Sequence, residues 1–290
     1  MSGERGTEAV AAALGWSVVR RCRGGEFGAT LVQDGGGRRA ILKAMPDTPP
    51  WSEGWAASVD LVERLRATGY PAPRYLASGV VAGHLYTVQE EVAGAVPRPL
   101  TERHARQLLA LAERHADLGG GSPPAGVPGW ASYVHAELDG TIRAERAVTA
   151  RSAHPESARL LDEVRALGWR LAGLVLPGGD IVHGDFHHQN VLADGDRVTA
   201  VIDWEQAARG DWRYDAFWLA FWCQVHVAGV EPAAARLVRE RVASLLTPAE
   251  LAAYAGVATA RVLSLFAHHR PEVVPAAIGW CQSHLAPFWR

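Results

Sequence analysis

The apolar positions fall into two regimes. Up to about residue 92 they cluster in short runs of β-formers. WSVVRRC (16–22), ATLVQD (29–34) and RRAILKAM (38–45) predict three strands, the last two separated by the turn-rich Gly35-Gly36-Gly37. Between the first two lies a Gly-rich turn, Arg23-Gly24-Gly25-Glu26-Phe27-Gly28, which by itself fits an ordinary flexible hairpin and does not match G-x-G-x-x-G. Ser52 is placed to cap a helix running to about Ala67. Trp55, Val59, Val62 and the stem of Arg66 share one stripe at helical spacing, and Gly69-Tyr70-Pro71-Ala72-Pro73 stops it. Two more strands are expected around Tyr75–Val81 and His84–Glu91, ending at Gly94. Residues 1–92 therefore read as a mostly antiparallel sheet with one helix inserted.

From Thr101 the period lengthens. Leu108, Leu109, Leu111, Ala112 and Leu118 mark a helix over 101–118, GGGSPPAGVPG (119–129) reads as an exposed loop, and two helical stretches follow over about 130–146 and 156–175. The segment Ile181–Ile202 reverts to short strands. After Tyr214 the pattern is almost entirely helical, with starts near Pro232, Thr247 and Pro271. No internal repeat is visible. The expected class is α+β with two lobes: a small sheet-rich lobe with one helix, residues 1–92, and a larger helical lobe, residues 93–290.

Composition narrows the function classes. The 290 residues carry 29 basic and 31 acidic groups, and a net charge of −2 argues against a nucleic-acid partner, which requires a basic face. No run of about 18 apolar residues occurs, so no membrane partner is expected. The start MSGERGTEAV lacks an apolar signal core, and Cys22, Cys223 and Cys281 fit neither a disulfide framework nor a CxxC zinc site. The expectation is a cytoplasmic, soluble protein; nothing in the pattern fixes its oligomeric state.

Of the 29 basic residues 28 are Arg and one, Lys43, is Lys. Drift in an Arg-rich chain is one explanation. The other is chemical: an ammonium is a compact point charge and a guanidinium a planar fork, so the two do not exchange freely at a phosphate. Leu42 and Ala44 flank Lys43, which rules out the Gly-Lys-Ser/Thr of a P-loop.

Candidate chemistry concentrates in His183-Gly184-Asp185-Phe186-His187-His188-Gln189-Asn190-Val191-Leu192 and in Val201-Ile202-Asp203-Trp204-Glu205. Ala193-Asp194-Gly195-Asp196-Arg197 between them is a strong hairpin turn, with Val191–Ala193 and Val198–Ile202 as its strands. Antiparallel pairing then sets Asn190 roughly opposite Asp203, close to Asp185. Hard oxygen ligands converging in this way suit Mg²⁺, which keeps waters and takes further ligands from phosphates. Singly, Asp185 could be a salt-bridged core residue and Asp203 a strand end. The three histidines 183, 187 and 188 raise zinc, but Gly184 stands where a helical H-E-x-x-H site needs Glu. His183 reads instead as structural, fixing the loop by hydrogen bonds.

HGDFHHQNVL with VIDWE resembles the aminoglycoside phosphotransferase and choline kinase group, relatives of the protein kinases, through the spacing Asp-x-x-x-x-Asn. The resemblance extends over most of the chain and implies a bilobal protein-kinase-like fold. It implies an ATP-dependent phosphotransferase acting on a hydroxyl of a small molecule. By the same resemblance Asp185 orients the acceptor hydroxyl and takes its proton, as general base or positioning group. Asn190 and Asp203 hold Mg²⁺ on the nucleotide phosphates, and Lys43 binds the α- and β-phosphates. Gly24, Gly25 and Gly28 close over the phosphates, and backbone groups of Glu90 and Val92 meet the adenine edge at a hinge, Gln89–Val92. Asp211 and Asp215 resemble acidic support for the catalytic loop, with helix capping as the alternative.

Two departures stand out. The family pairs its phosphate-binding Lys with a Glu on the first helix, and that position falls here on Ser58, leaving Glu53 and Glu63 as substitutes. His188-Gln189 stands where relatives often carry Pro-Gly, which alters loop stiffness but not the ligands. For the acceptor, residues 180–215 hold 8 acidic against 3 basic groups, a surplus able to attract a cation, whereas 216–290 hold 4 acidic and 6 basic. Trp204, Trp212, Trp218 and Trp222 offer cation–π faces or core packing. The expected acceptor is a small hydroxylated amine, an aminoglycoside-like antibiotic. A metabolite such as an amino alcohol or sugar, and a nucleotide-binding protein without transfer activity, are the alternatives.

Overall fold

The computed structural model describes residues 2–22, 28–47, 51–120, 129–142 and 144–290. Gly24 and Gly25, the rest of their turn, most of the expected 119–129 loop, and the side chains of Ser52 and Glu53 lie outside the described residues. The chain forms two compact units: residues 1–97 with 183–208, and residues 98–182 with 209–290.

The first unit opens with α1 (Ser2–Ala13), followed by β1 (Trp16–Arg21), β2 (Thr30–Asp34), β3 (Arg39–Pro46), α2 (Trp51–Ala67), β4 (Tyr75–Val81) and β5 (His84–Glu90). The five strands make one antiparallel sheet in the order β1-β2-β3-β5-β4. Successive side chains of a strand point to opposite faces. Ala40, Leu42 and Ala44 of β3 thus pack with Val10 and Ala11 of α1, while Met45 joins Trp55 of α2 and Leu85 of β5. Lys43 belongs to the alternate set, opposite Thr87 of β5.

Two expectations are corrected here. A second helix, α1, exists besides the inserted one; among its described side chains it buries little beyond Val10, Ala11 and Thr7, so a polar start conceals it. The buried stripe of α2 is Trp55, Ser58, Leu61, Val62 and Leu65, with Val59 and Arg66 only half-buried. The phase follows the steps of three and four that keep residues on one helical face, and it turns Ser58 inward, where its Oγ donates to the Trp55 carbonyl at 2.8 Å.

The second unit comprises α3 (Glu102–Glu113), α4 (Trp130–Asp139), α5 (Ala144–Ala153), α6 (Pro155–Arg170), β6 (Asp180–Val182), α7 (Arg213–Val225), α8 (Pro232–Leu245), α9 (Pro248–His269) and α10 (Val274–Trp280). Three helices, not two, fill 130–170. Gly140 ends α4 in the left-handed region at φ +72°, and α5 escapes a periodicity reading because it buries Ala150 alone. α9 is the axis of this unit and packs against α4, α5 and α6. By length and composition it is apolar enough to cross a bilayer, yet 78% of that stretch is buried within the protein. Thr247 and Glu250 form its capping box, with Pro248 in the first turn, as the sequence start near Thr247 anticipated.

Candidate active site

In the first unit the strands β7 (Val191–Asp194) and β8 (Arg197–Val201) form the expected hairpin. Its register shifts by one between Leu192 and Ala193, and the Ile202 N–H donates to the Asn190 carbonyl at 2.9 Å. Asn190 therefore faces Ile202, one residue short of the expected Asp203. The bulge inserts an extra residue in β8, which moves the whole pairing one step toward Asp203. Asp203 itself leaves the strand in a left-handed conformation, φ +73°.

Residues 183–190 gather around that hairpin end. The Asn190 amide donates to the Asp185 carbonyl at 2.9 Å and to its carboxylate Oδ2 at 3.0 Å. With the nitrogen engaged, the side-chain oxygen of Asn190 is the atom left to act as a ligand. His183 is fully buried: its Nδ1 accepts from the Asp185 N–H at 3.2 Å, so its Nε2 carries the proton and donates to the Ile202 carbonyl at 2.9 Å. Its ring lies 4.3 Å from that of Trp204. One neutral imidazole thus ties the Asp185 backbone to the residue preceding Asp203. His187 caps the turn by accepting from the Gln189 N–H, and its Nε2 lies 3.4 Å from Asp185 Oδ2. None of the three histidines joins a metal cluster, and among the described residues no group of three or more His, Cys, Asp and Glu is placed to hold an ion.

Gly184 sits at φ +80°, and a Cβ there would lie 2.8 Å from the Gln206 carbonyl. Gly184→Ala is expected to cost about 1–3 kcal/mol of stability, read as a lower urea midpoint; an unchanged midpoint would show that the loop relaxes freely.

Lys43 is where the sheet meets this loop. Its ammonium is buried, pairs with the Asp203 carboxylate and donates to Glu205 Oε2 at 2.8 Å. Burial alone would lower the Lys43 pKa, but the charges of Glu205 and Asp203 outweigh it and hold the ammonium protonated. Burial likewise opposes ionisation of Asp203, and Lys43 overcomes it, so Asp203 stays below the usual carboxylate range. For Glu205 burial dominates, helped by the neighbouring Asp203 charge, and its pKa is pushed up.

Of the two acids expected as partners of Lys43, the side chain of Glu53 lies outside the described residues and Glu63 is not the partner. Glu63 is exposed; it accepts from the Tyr75 N–H at 3.4 Å and lies 3.8 Å from Arg66, not at Lys43. The carboxylate comes from Glu205, two residues after Asp203 in VIDWE. The available signal was a second acid in an apolar run beside the candidate metal ligand; a rule that looks for this acid on the first helix passes over it.

The stretch that carries this loop and this strand also matches a known family profile. The profile of the phosphotransferase enzyme family (APH) matches residues 19–254. The chain belongs to that family. Hygromycin-B 4-O-kinase of Escherichia coli is 26% identical over 219 residues, covering 68% of this chain and 60% of the kinase, so the match spans less than two thirds of that relative. The apo form of a thermostable mutant of aminoglycoside phosphotransferase APH(4)-Ia superposes with a TM-score of 0.73 at 21% identity, covering 97% of this chain and 98% of the other. A ternary complex of that phosphotransferase with ADP and hygromycin B gives 0.68 at 21% identity, covering 97% of each chain. These likenesses bear out the kinase-like α+β fold expected from the motifs.

Gly28 is in the left-handed region at φ +64°, which favours glycine. Glu90 closes β5, and its N–H is already taken by the Arg74 carbonyl at 2.9 Å, so its carbonyl is the group it can offer a base edge; Val92 lies just beyond the strand. Tyr75 is a neighbour that the sequence reading missed: burial first, then Glu205 and Asp203, push its hydroxyl pKa up.

In the helical unit Asp211 and Asp215 are fully buried. Asp211 accepts from the Arg213 N–H at 3.0 Å two residues on, without occupying the N-cap of α7, as well as from the Arg213 guanidinium and, at 2.5 Å, the Tyr254 hydroxyl. Asp215 pairs with His115 at 3.1 Å. The tryptophans after Asp203 are largely core. Trp204, Trp218 and Trp222 are buried, and the Arg261 guanidinium lies 4.8 Å from the Trp218 ring.

Proposed function

We propose that this protein transfers the γ-phosphoryl group of ATP to a hydroxyl of a small molecule, an aminoglycoside-like, amine-bearing antibiotic. The observation that carries this reading is Lys43: a lone lysine in the chain, buried on β3, paired to an acid whose hairpin also holds Asn190 and Asp185. In this reading residues 1–92 hold the nucleotide and 93–290 supply the catalytic loop, metal ligands and acceptor pocket.

The donor set fits Mg²⁺. One amide oxygen and one carboxylate, both hard, suit an ion that fills its shell with waters and phosphate oxygens. Asn190 and Asp203 would hold it, and when bound it neutralises charge developing on the phosphates. Lys43 binds the α- and β-phosphates. Asp185, its Oδ2 clamped by the Asn190 amide, presents Oδ1 to the acceptor hydroxyl. The acceptor oxygen forms the new bond to the γ-phosphorus as the bond to the β-bridging oxygen breaks. ADP leaves, and the hydroxyl proton passes to Asp185. Most of the rate then comes from positioning and charge stabilisation. Because Lys43 has buried carboxylate partners from Glu205 and Asp203, Ser58 on α2 does not by itself argue for a protein that binds nucleotide without transferring phosphate.

A second acceptor class, a less cationic metabolite, is favoured by two observations: residues 216–290 carry 4 acidic against 6 basic groups, and Arg261 already covers the Trp218 face. The test is incubation with Mg²⁺ and ATP against hygromycin B, other aminoglycosides, amino alcohols and sugars. The expected result is a gain of one phosphate on an aminoglycoside, seen by mass spectrometry. Phosphate on sugars alone would overturn the antibiotic reading, and no product with any of them would overturn transfer.

A further inference from the structure

Lys43 has two carboxylates, and only one of them is free of other duties. A buried ammonium without a counter-charge is strongly unfavourable. Asp203 is the residue assigned to the metal, and a carboxylate that takes a divalent cation gives up much of its hold on a neighbouring ammonium. The two acids differ in the way such a division of labour requires. The Asp203 side chain is 31% exposed and the Glu205 side chain 6%.

Glu205 is also fastened on its other side. Its Oε1 accepts from Gln89 Nε2 at 3.4 Å, and the same amide nitrogen lies 3.3 Å from Thr87 Oγ1, in the residue that faces Lys43 across the β3–β5 pair. The short turn Trp204–Gln206 that carries Glu205 is pinned by Trp204, which is buried and whose Nε1 donates to the Val201 carbonyl at 2.8 Å. α2 packs on this turn, and among its described side chains none brings an acid to Lys43; Ser58 spends its hydroxyl on Trp55.

We infer that Glu205 is the positioning residue for Lys43: it keeps the ammonium in place when Asp203 turns to the metal, so that Lys43 exchanges Asp203 for the nucleotide phosphates without losing its anchor. The exchange rests on the phosphotransfer reading; the anchor itself does not.

The chain's single lysine makes the anchor measurable. An amine-acylating reagent can modify only Lys43 and the N-terminal amine, and peptide mapping separates the two. Labelling of the nucleotide-free wild type is expected to be slow. Glu205→Gln is expected to speed Lys43 labelling by at least about tenfold, since a charge-assisted bond to a buried cation is lost. Asp203→Asn is expected to speed it less, and Glu205→Asp, which keeps the charge, to fall between wild type and Glu205→Gln. In turnover, Glu205→Gln should lower kcat by more than it raises the KM for ATP.

Labelling of Glu205→Gln at the wild-type rate, or faster labelling in Asp203→Asn than in Glu205→Gln, overturns the inference. Should Glu205→Gln fail to fold, the comparison of Glu205→Asp with Asp203→Asn decides the same order. The labelling uses no nucleotide, so a protein that phosphorylates nothing can still show the anchor, and one that transfers phosphate can still refute it.

Discussion

Asp185→Ala is expected to lower turnover by about 10²–10⁴-fold, the usual worth of a positioned general base, while nucleotide affinity stays nearly unchanged. The geometry gives the reason for the split. Asp185 is held by Asn190, whose amide donates to its carbonyl as well as its carboxylate, and by His183 through its backbone N–H. Removal of the carboxylate leaves the carbonyl bond intact, so Asn190 keeps its place and the Lys43–Asp203 pair is untouched. The measurement is kcat on a phosphorylated acceptor together with nucleotide affinity by calorimetry. Equal turnover in wild type and variant would remove Asp185 from the chemistry. A parallel loss of nucleotide affinity would mean that the carboxylate supports the metal site instead.

Arg213→Met carries the largest expected effect on stability, about 2–4 kcal/mol. The Arg213 guanidinium forks onto Asp211, whose side chain is 1% exposed, donates to Glu250 Oε1 at 2.7 Å and reaches the Leu245 carbonyl at 3.1 Å. Methionine keeps much of the stem and deletes the charge, so the loss reports an uncompensated Asp211, which retains only the Tyr254 hydroxyl and the backbone N–H of residue 213. Part of the fork is solvent-exposed, which tempers the cost. The check is a lower urea midpoint at constant slope.

The same network sets a pH dependence. Burial pushes the Glu250 pKa up, but the Thr247 backbone and hydroxyl together with Arg213 outweigh it and hold the carboxyl below its ordinary value. A depressed carboxylate contributes stability that is complete above its unfolded pKa and lost as pH falls through its folded one. Glu250→Gln is therefore expected to flatten the acid limb of the stability profile. A wild-type acid limb in that variant would show that Glu250 contributes nothing to it.

The sheet and the hairpin were legible because both announce themselves locally. β-branched runs, Gly-rich turns and the interval from Asp185 to Asn190 are properties of a few consecutive residues. α1 and α5 were hidden for the opposite reason: among the described side chains each buries so few that no apolar stripe marks it in the sequence. The phase of α2 mattered most. The resemblance placed the partner of Lys43 on that helix, at a position the structure turns inward as Ser58, whereas a carboxylate comes from residue 205. Partner choice for a buried charge is settled by which elements converge, and no single window of sequence contains that information. The bulge that places Asn190 opposite Ile202 is similar: turn residues fix where a hairpin reverses, not whether one strand gains a residue.

The left-handed backbone at Asp203 has a consequence for how drift at this position would look. Glycine, asparagine and aspartate tolerate such a conformation, and most other residues resist it. Asparagine keeps the turn and nearly the same shape but carries no charge, so a descendant with it would fold the same way yet leave Glu205 as the remaining carboxylate on the buried Lys43 ammonium. Its melting point would betray the exchange before any substrate was offered.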